Sequence, residues 1–150
     1  MKVTARGHFP GMPDSSSEPD EATVDAVGKL TFALETVEQA RGHLYAFHHL
    51  TGTADFALGE AVEALRKAGH AEWAERIQTE LVGLNVLPER WTFQLIEEYD
   101  EGYYAAYRDM ARDVTGALTG GRRHLHEERI KRRRRTEGRP GHEMGRPSSG

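Results

Sequence analysis

The feature that most constrains this chain is a long stretch without proline, which lies between Pro19 and Pro88. Proline disrupts a helix interior because it lacks the amide donor and clashes with the preceding turn. In the first half of this stretch, apolar residues recur at steps of three and four, which is the spacing of one helix face. These residues are Val27, Leu30, Leu34, Val37 and Leu44. The pattern predicts a first helix from Ser17–Asp20 to about residue 50.

Similar spacing predicts three further helices. The second begins at Thr53 and ends at Gly69, because glycine adopts the left-handed conformation after a helix at little cost. A third, shorter helix contains Trp73, and Pro88 is placed to open a fourth, long helix. The sequence therefore predicts an all-α fold, an up-and-down bundle of about four helices.

The ends of the chain differ in composition from the predicted bundle. Residues 1–16 are rich in Gly, Pro, Ser and Asp, which predicts a flexible arm. Residues 17–121 form the predicted helical bundle domain. Residues 122–150 have almost no apolar face, so they are predicted to be a basic, largely disordered tail.

The two parts of the chain carry opposite charge. Residues 1–121 contain 10 basic and 20 acidic residues, whereas residues 122–150 contain 10 basic and 4 acidic residues. The tail includes the adjacent cations Lys131, Arg132, Arg133, Arg134 and Arg135. Such a run is predicted to bind polyanions, including weak nucleic-acid binding, or to lie against the acidic body.

Composition excludes several function classes. The chain has no cysteine, so it has no disulfide framework, thiolate zinc site or thiol nucleophile. It has no run of 18 apolar residues and no apolar segment near its start, so we expect a cytoplasmic protein with no membrane partner. No motif in the sequence indicates a cofactor.

The segment HHLTGTAD at 48–55 has two interpretations. In the preferred one it is the corner between two helices: Gly52 ends the first helix and Thr53 caps the second. His48 and His49 would then lie near a negative helix end and Asp55 near a positive one. Capping and the helix dipole would then account for each of these polar residues without a metal or catalytic site.

The alternative interpretation is a buried polar network or a metal or catalytic site. The seam of the first helix also places Arg41, His48, Thr51 and Asp55 where apolar residues are expected. In such a site His48, His49 and Asp55 would converge with one carboxylate of the fourth helix, Glu97 or Glu98. The spacing lacks the Glu-x-x-His and His-x-x-x-His patterns, so no metal ligand and no catalytic residue is assigned.

Tyrosines mark one face of the fourth predicted helix. Tyr99, Tyr103 and Tyr107 recur every four residues, so they share a face. Such an aromatic stripe more often marks a subunit interface or the bundle core than a ligand platform. A tyrosine hydroxyl needs a polar partner, which favours a partly hydrated interface over a dry core.

The segments NVLPERWTFQLIEEYDEGYY at 85–104 and RRRRTEGRPGHE at 132–143 resemble a small, functionally uncharacterised family of actinobacterial helical proteins. This resemblance implies no activity. The preferred hypothesis is a non-enzymatic helical protein, a homo-oligomer or a binder of a protein partner. The alternatives are a metal-dependent or acid–base enzyme with a ferritin-like bundle, and non-specific nucleic-acid binding through the tail.

Overall fold

The computed structural model describes residues 17–145; the predicted arm at 1–16 lies outside them. The α-helices are α1 (Glu21–Lys67), α2 (Ala71–Glu80), α3 (Thr92–Tyr99), α4 (Ala105–Thr119) and α5 (Leu125–Arg134). A π-helical turn, Asp100–Tyr104, connects α3 to α4. Residues 17–145 contain no strand, and their one isolated bridge pairs Leu87 with Arg90. The predicted all-α class is confirmed, whereas the up-and-down order of the helices stays a prediction.

The chain divides into two compact units. Within the described residues, the terminal unit comprises 17–35 and 107–145, and the central unit comprises 36–106. None of the helices in this part of the chain has the length and apolar character needed to cross a lipid bilayer.

Helix α1 is continuous through the segment that was predicted to be a corner, so that prediction is wrong. Gly52 lies inside the helix, where glycine costs about 1 kcal/mol relative to alanine but does not end the helix. The hydroxyl of Thr53 donates to the carbonyl oxygen of His49 at 3.0 Å, so Thr53 is not a cap. Thr51 likewise donates to the carbonyl oxygen of Phe47 at 2.7 Å. Both hydroxyls thus bond within α1 instead of opening a second helix.

The start and end of α1 agree better with the sequence. The Asp20 carboxylate accepts a hydrogen bond from the Thr23 amide at 2.7 Å, which caps the helix. Hydrogen bonds from the Thr23 side chain and from its amide lower the pKa of Asp20. After Lys67, the chain adopts a left-handed conformation at Gly69 (φ +86°), the position predicted to end the second helix.

The fourth predicted helix corresponds to α3, the π-helical turn and α4. Helix α3 begins at Thr92, later than Pro88, because Pro88 and Glu89 lie within the turn that the Leu87–Arg90 bridge closes. The Gln94 side-chain oxygen accepts a hydrogen bond from the Trp91 amide at 3.1 Å and satisfies one free donor at the helix start.

The terminal unit buries Val24 and Val27 of α1, Ala111 of α4 and Leu125 of α5. The prediction of a largely disordered tail is therefore wrong over Leu125–Arg134, which form α5. The sequence pattern missed this because Leu125 is the one buried residue of α5. The central unit has its own core, which contains Val37 and Val62 of α1, Ala74 of α2 and Ile96 of α3.

Candidate functional site

The histidines proposed as metal ligands belong to a row of aromatic rings on the central unit. The His48 ring lies 4.2 Å from the Phe93 ring, and the Phe93 ring lies 5.7 Å from that of Trp91 in an edge-to-face arrangement. His49 extends the row, with its ring 5.3 Å from that of His48. We call Trp91, Phe93, His48 and His49 the aromatic row.

Hydrogen bonds and packing hold this row in place. His48 Nδ1 lies 2.6 Å from the Thr92 hydroxyl, which joins α1 to the start of α3. The Gln94 bond to the Trp91 amide fixes the backbone beside it. Trp91 is nevertheless 54% exposed and Phe93 is 44% exposed. The row is therefore a positioned aromatic surface that remains open to solvent.

The carboxylates proposed to accompany the histidines have other partners. Asp55 accepts a hydrogen bond from the Gly83 amide at 2.7 Å and so holds the turn after α2, where Gly83 has φ +75°. Glu98 pairs with Arg90 at 2.8 Å, and Glu97 is exposed. The structure does not bring these carboxylates together with His48 and His49.

Across residues 17–145, no group of three or more His, Asp or Glu side chains has the arrangement needed to hold a metal ion. No observation in the described part of the chain favours the ferritin-like enzyme hypothesis, which remains without a site.

A half-buried ion pair lies elsewhere in the central unit. Arg41 binds Asp100 through two hydrogen bonds, at 2.6 and 2.8 Å, and its guanidinium lies 5.0 Å from the ring centre of Tyr45 and 5.1 Å from that of Tyr104. The hydrogen bonds to Asp100 raise the pKa of Arg41 above its ordinary value. Tyr104 in turn donates to Glu38. Arg41 and Asp100 satisfy one another's charge and hydrogen-bonding groups. Because Arg41 lies in α1 and Asp100 in the π-helical turn, their pair joins these two elements.

Arg41 and His48, two of the polar residues in the seam of the first predicted helix, each pair with a residue of another element of the central unit. The pairs are only half-buried, and each joins a different partner. They act as links between helices rather than as one site.

The tyrosine stripe is not uniformly removed from water. Tyr99 and Tyr107 are half-buried, whereas Tyr103 is exposed with its ring 5.6 Å from that of Tyr99. A position in the bundle core is therefore excluded for Tyr103. Tyr107 belongs to the terminal unit, whereas Tyr99 and Tyr103 belong to the central unit. Their role in an interface stays a prediction.

The run of cations at 131–135 lies at the end of α5 and just beyond it. Arg132 pairs with Glu128 at 2.7 Å, and the half-buried Arg135 side chain lies 3.8 Å from Glu137. Lys131, Arg133 and Arg134 are exposed. Positive charges in the last turn of a helix are favoured by the helix dipole, so part of this run stabilises α5 itself.

Helix α1 also presents a face without charged residues over residues 36–64. Its positions recur every three or four residues and lie within about 60° of the direction of Leu50 at 100° per residue. We call it the uncharged face; it consists of Thr36, Gln39, His43, Ala46, Phe47, Leu50, Thr53, Ala54, Ala57, Ala61 and Ala64. Every one of these residues is exposed, and Leu50 is 68% exposed.

Sequence reasoning missed both surfaces because it treated apolar spacing as a sign of the core alone. The detectable signal for the uncharged face is the absence of Asp, Glu, Lys and Arg from a second set of positions at helical spacing. The aromatic row has no comparable signal, since His48 and Phe93 are distant in the chain.

Comparison with protein-family models, with curated proteins and with solved structures gives no significant match to this chain.

Proposed function

We propose that this chain is a non-enzymatic helical protein that binds another protein through exposed apolar surface of its central unit. The observation that carries this proposal is the aromatic row, in which Trp91 and Phe93 are exposed but held by neighbouring contacts. Trp is enriched among the residues that dominate binding energy at protein interfaces, and aromatic residues are enriched there in general.

The row is suited to this role because its rings are already positioned. The contact between His48 and Phe93 and the bond between His48 and Thr92 restrict motion of the row before a partner arrives. Ordering side chains at an interface costs about 0.5–1.5 kcal/mol per flexible residue, and a positioned ring avoids part of that cost.

The test compares two tryptophans of similar exposure. Trp91→Ala combined with Phe93→Ala removes the exposed rings of the row. Trp73→Ala removes a tryptophan that is 59% exposed on α2 and lies outside the row. Proteins retained by the immobilised wild-type chain from an extract of its source cells are identified by mass spectrometry. Each is then purified, and its affinity is measured by calorimetry.

We expect the double variant to weaken binding by at least ~30-fold, because two anchoring rings are lost. Trp73→Ala should change the affinity less than ~5-fold. Equal affinity of the wild type and the double variant for every purified partner would contradict the proposed role of the row.

A second candidate function, weak binding of polyanions, is favoured by the exposed cations Lys131, Arg133 and Arg134. Binding of these cations to nucleic acid would release counterions, so affinity should fall steeply with salt. The combined change of all three to Gln should abolish binding of a fluorescent duplex DNA at low salt. Arg108→Gln with Arg112→Gln, which removes cations from α4, is the control. A complex that is insensitive to salt would exclude this function.

A further inference from the structure

We infer that the uncharged face of α1 binds a second copy of this chain, with the two α1 helices antiparallel and the two-fold axis at Leu50. This inference rests on the proposed function, protein binding through apolar surface of the central unit, and it adds a second binding face whose partner is a second copy of the chain. The face is separate from the aromatic row, since His48 and His49 lie outside its positions.

The first argument is the exposure of large apolar side chains at the centre of the face. Leu50 and Phe47 are exposed, and the positions on either side of them carry no charge. The solvent face of an ordinary surface helix is rich in charged residues, so this face is unusual for one that only meets water. Placing it against another apolar surface removes that area from water without burying a charge.

The second argument is that the two halves of the face complement one another. In an antiparallel pair with its axis at Leu50, the residues that face each other have numbers that sum to 100. His43 then lies opposite Ala57 of the second copy, and Gln39 lies opposite Ala61. Larger side chains in one half thus meet alanines in the other. A two-fold contact requires this kind of self-complementarity.

Phe47 lies opposite Thr53 in the same arrangement, and Leu50 lies opposite Leu50. Two charged residues border the face: Glu60 lies opposite Ala40, and Glu35, just beyond the end of the face, lies opposite Leu65. The Glu60 residues of the two copies would be about 30 Å apart along the helix, so they would be screened from one another. Charge therefore does not oppose the pairing.

A parallel pair lacks this complementarity. It would place each side chain of the face against its own copy, with Phe47 on Phe47 and alanine on alanine. The alanine half would then be held apart by the bulk of the other half. The order of residues along the face therefore favours the antiparallel arrangement.

The third argument is the area available. The face extends over about 42 Å at 1.5 Å per residue, and a helix is about 10 Å across. Pairing two such strips covers on the order of 1,000 Å² in total, which is near the lower limit for a specific interface. We therefore expect a reversible dimer whose population depends on protein concentration.

The first test uses introduced cysteines, since the natural chain contains none. Leu50→Cys should form a disulfide-linked dimer under mild oxidation, because the two-fold axis brings position 50 within disulfide distance of itself. The control, Phe56→Cys, changes a side chain that is 81% exposed on another face of the same helix, and it should form no disulfide-linked dimer. Equal cross-linking of the two variants would overturn the inference.

Register is tested with two further single variants, His43→Cys and Ala57→Cys. Each position would lie about 21 Å from its own copy, so neither variant should cross-link alone. A mixture of the two, one of which carries an affinity tag, should give the mixed dimer. Self-linking of His43→Cys as efficient as the mixed reaction would overturn the antiparallel arrangement.

The second test measures dimer affinity by analytical ultracentrifugation of the full chain. Leu50→Glu places two like charges together at the axis and should raise the dimer dissociation constant by at least ~100-fold. Phe56→Glu should change it less than ~3-fold. A wild-type chain that stays monomeric at millimolar concentration, or a dimer that Leu50→Glu leaves intact, would overturn the inference.

These outcomes are distinguishable from failure of the proposed function. If the chain is monomeric but Trp91→Ala with Phe93→Ala still weakens binding of another protein, the second copy is the wrong partner and the proposed function stands. If the same double variant dissociates a dimer that Leu50→Glu leaves intact, self-association occurs through the aromatic row and the uncharged face is the wrong surface.

Discussion

The two units of the molecule differ in where their polar contacts lie and in how many large apolar side chains they expose. In the terminal unit, basic side chains of the C-terminal segment satisfy groups near the start of α1: Arg122 pairs with Glu18 at 2.7 Å, and Arg129 donates to the carbonyl oxygen of Pro19 at 3.1 Å. In the central unit, polar pairs lie between helices and aromatic side chains such as Trp91 are exposed. Both units expose large apolar side chains, such as Phe32 and Met110 in the terminal unit, but among residues 17–145 the central unit exposes more of them, including both tryptophans.

This difference shows why a low share of hydrophobic residues does not mean a polar surface. The chain is only 37% hydrophobic, yet the central unit exposes Trp91, Phe93 and Leu50. Apolar residues spread along a long helix cannot all reach a small core. Those that remain outside form surfaces that favour binding.

We expect the largest difference in stability between a substitution in the core of the central unit and one on its surface. Ile96→Ala removes a side chain that is almost fully buried and should lower the free energy of unfolding by about 2–5 kcal/mol, because a cavity remains. Phe93→Ala, on the same helix but half exposed, should cost less than about 1 kcal/mol. Urea denaturation followed by circular dichroism measures both values. Equal losses of unfolding free energy would mean that the aromatic row is part of the core, which would contradict its description as an exposed surface of the central unit.

We expect a smaller difference in stability between alanine variants of two α1 glycines, Gly42 in the central unit and Gly28 in the terminal unit. Gly42 has no other atom within 4 Å of an added Cβ, so Gly42→Ala should raise the free energy of unfolding by about 0.5–1 kcal/mol through helix propensity alone. At Gly28 an added Cβ would come within 2.8 Å of the Cβ of His126, so α5 would have to shift. Gly28→Ala should therefore gain less than Gly42→Ala or destabilise the protein.

Thermal unfolding of both glycine variants provides the measurement, and hydrogen exchange of residues 125–134 shows whether α5 is released. An equal gain in both variants, with unchanged exchange in α5, would show that α5 is not held against α1 at Gly28.

The smallest effect concerns the ion pair of the terminal unit. Arg122→Gln breaks an exposed pair with Glu18 and should lower the free energy of unfolding by about 0.2–1 kcal/mol at low salt. The loss should nearly disappear at 1 M salt, where charges on the surface are screened. Arg123→Gln is the neighbouring control because Arg123 is exposed and has no ion pair among the described residues. Chemical denaturation of both variants at low and at high salt measures whether only Arg122→Gln loses stability.

Much of the fold follows from local sequence. The proline-free stretch and the steps of three and four correctly predicted helices, and Gly69 ends α1 where the sequence placed a helix end. These features are local because they depend on backbone freedom and on which side chains share a face. The neighbours that the structure gives His48, the Phe93 ring and the Thr92 hydroxyl, did not follow from local sequence.

Tertiary structure decided the features that local preference leaves open. Gly52 and Thr53 favour a helix end by local preference, yet α1 is continuous through them and the Thr53 hydroxyl bonds within the helix. Residues 125–134 have little apolar surface of their own, and Leu125 is buried because it meets the core of the terminal unit. His48 and Phe93 come together only when α3 packs on α1. A contact between distant residues has no local signature, because the free energy that forms it comes from burial shared between helices.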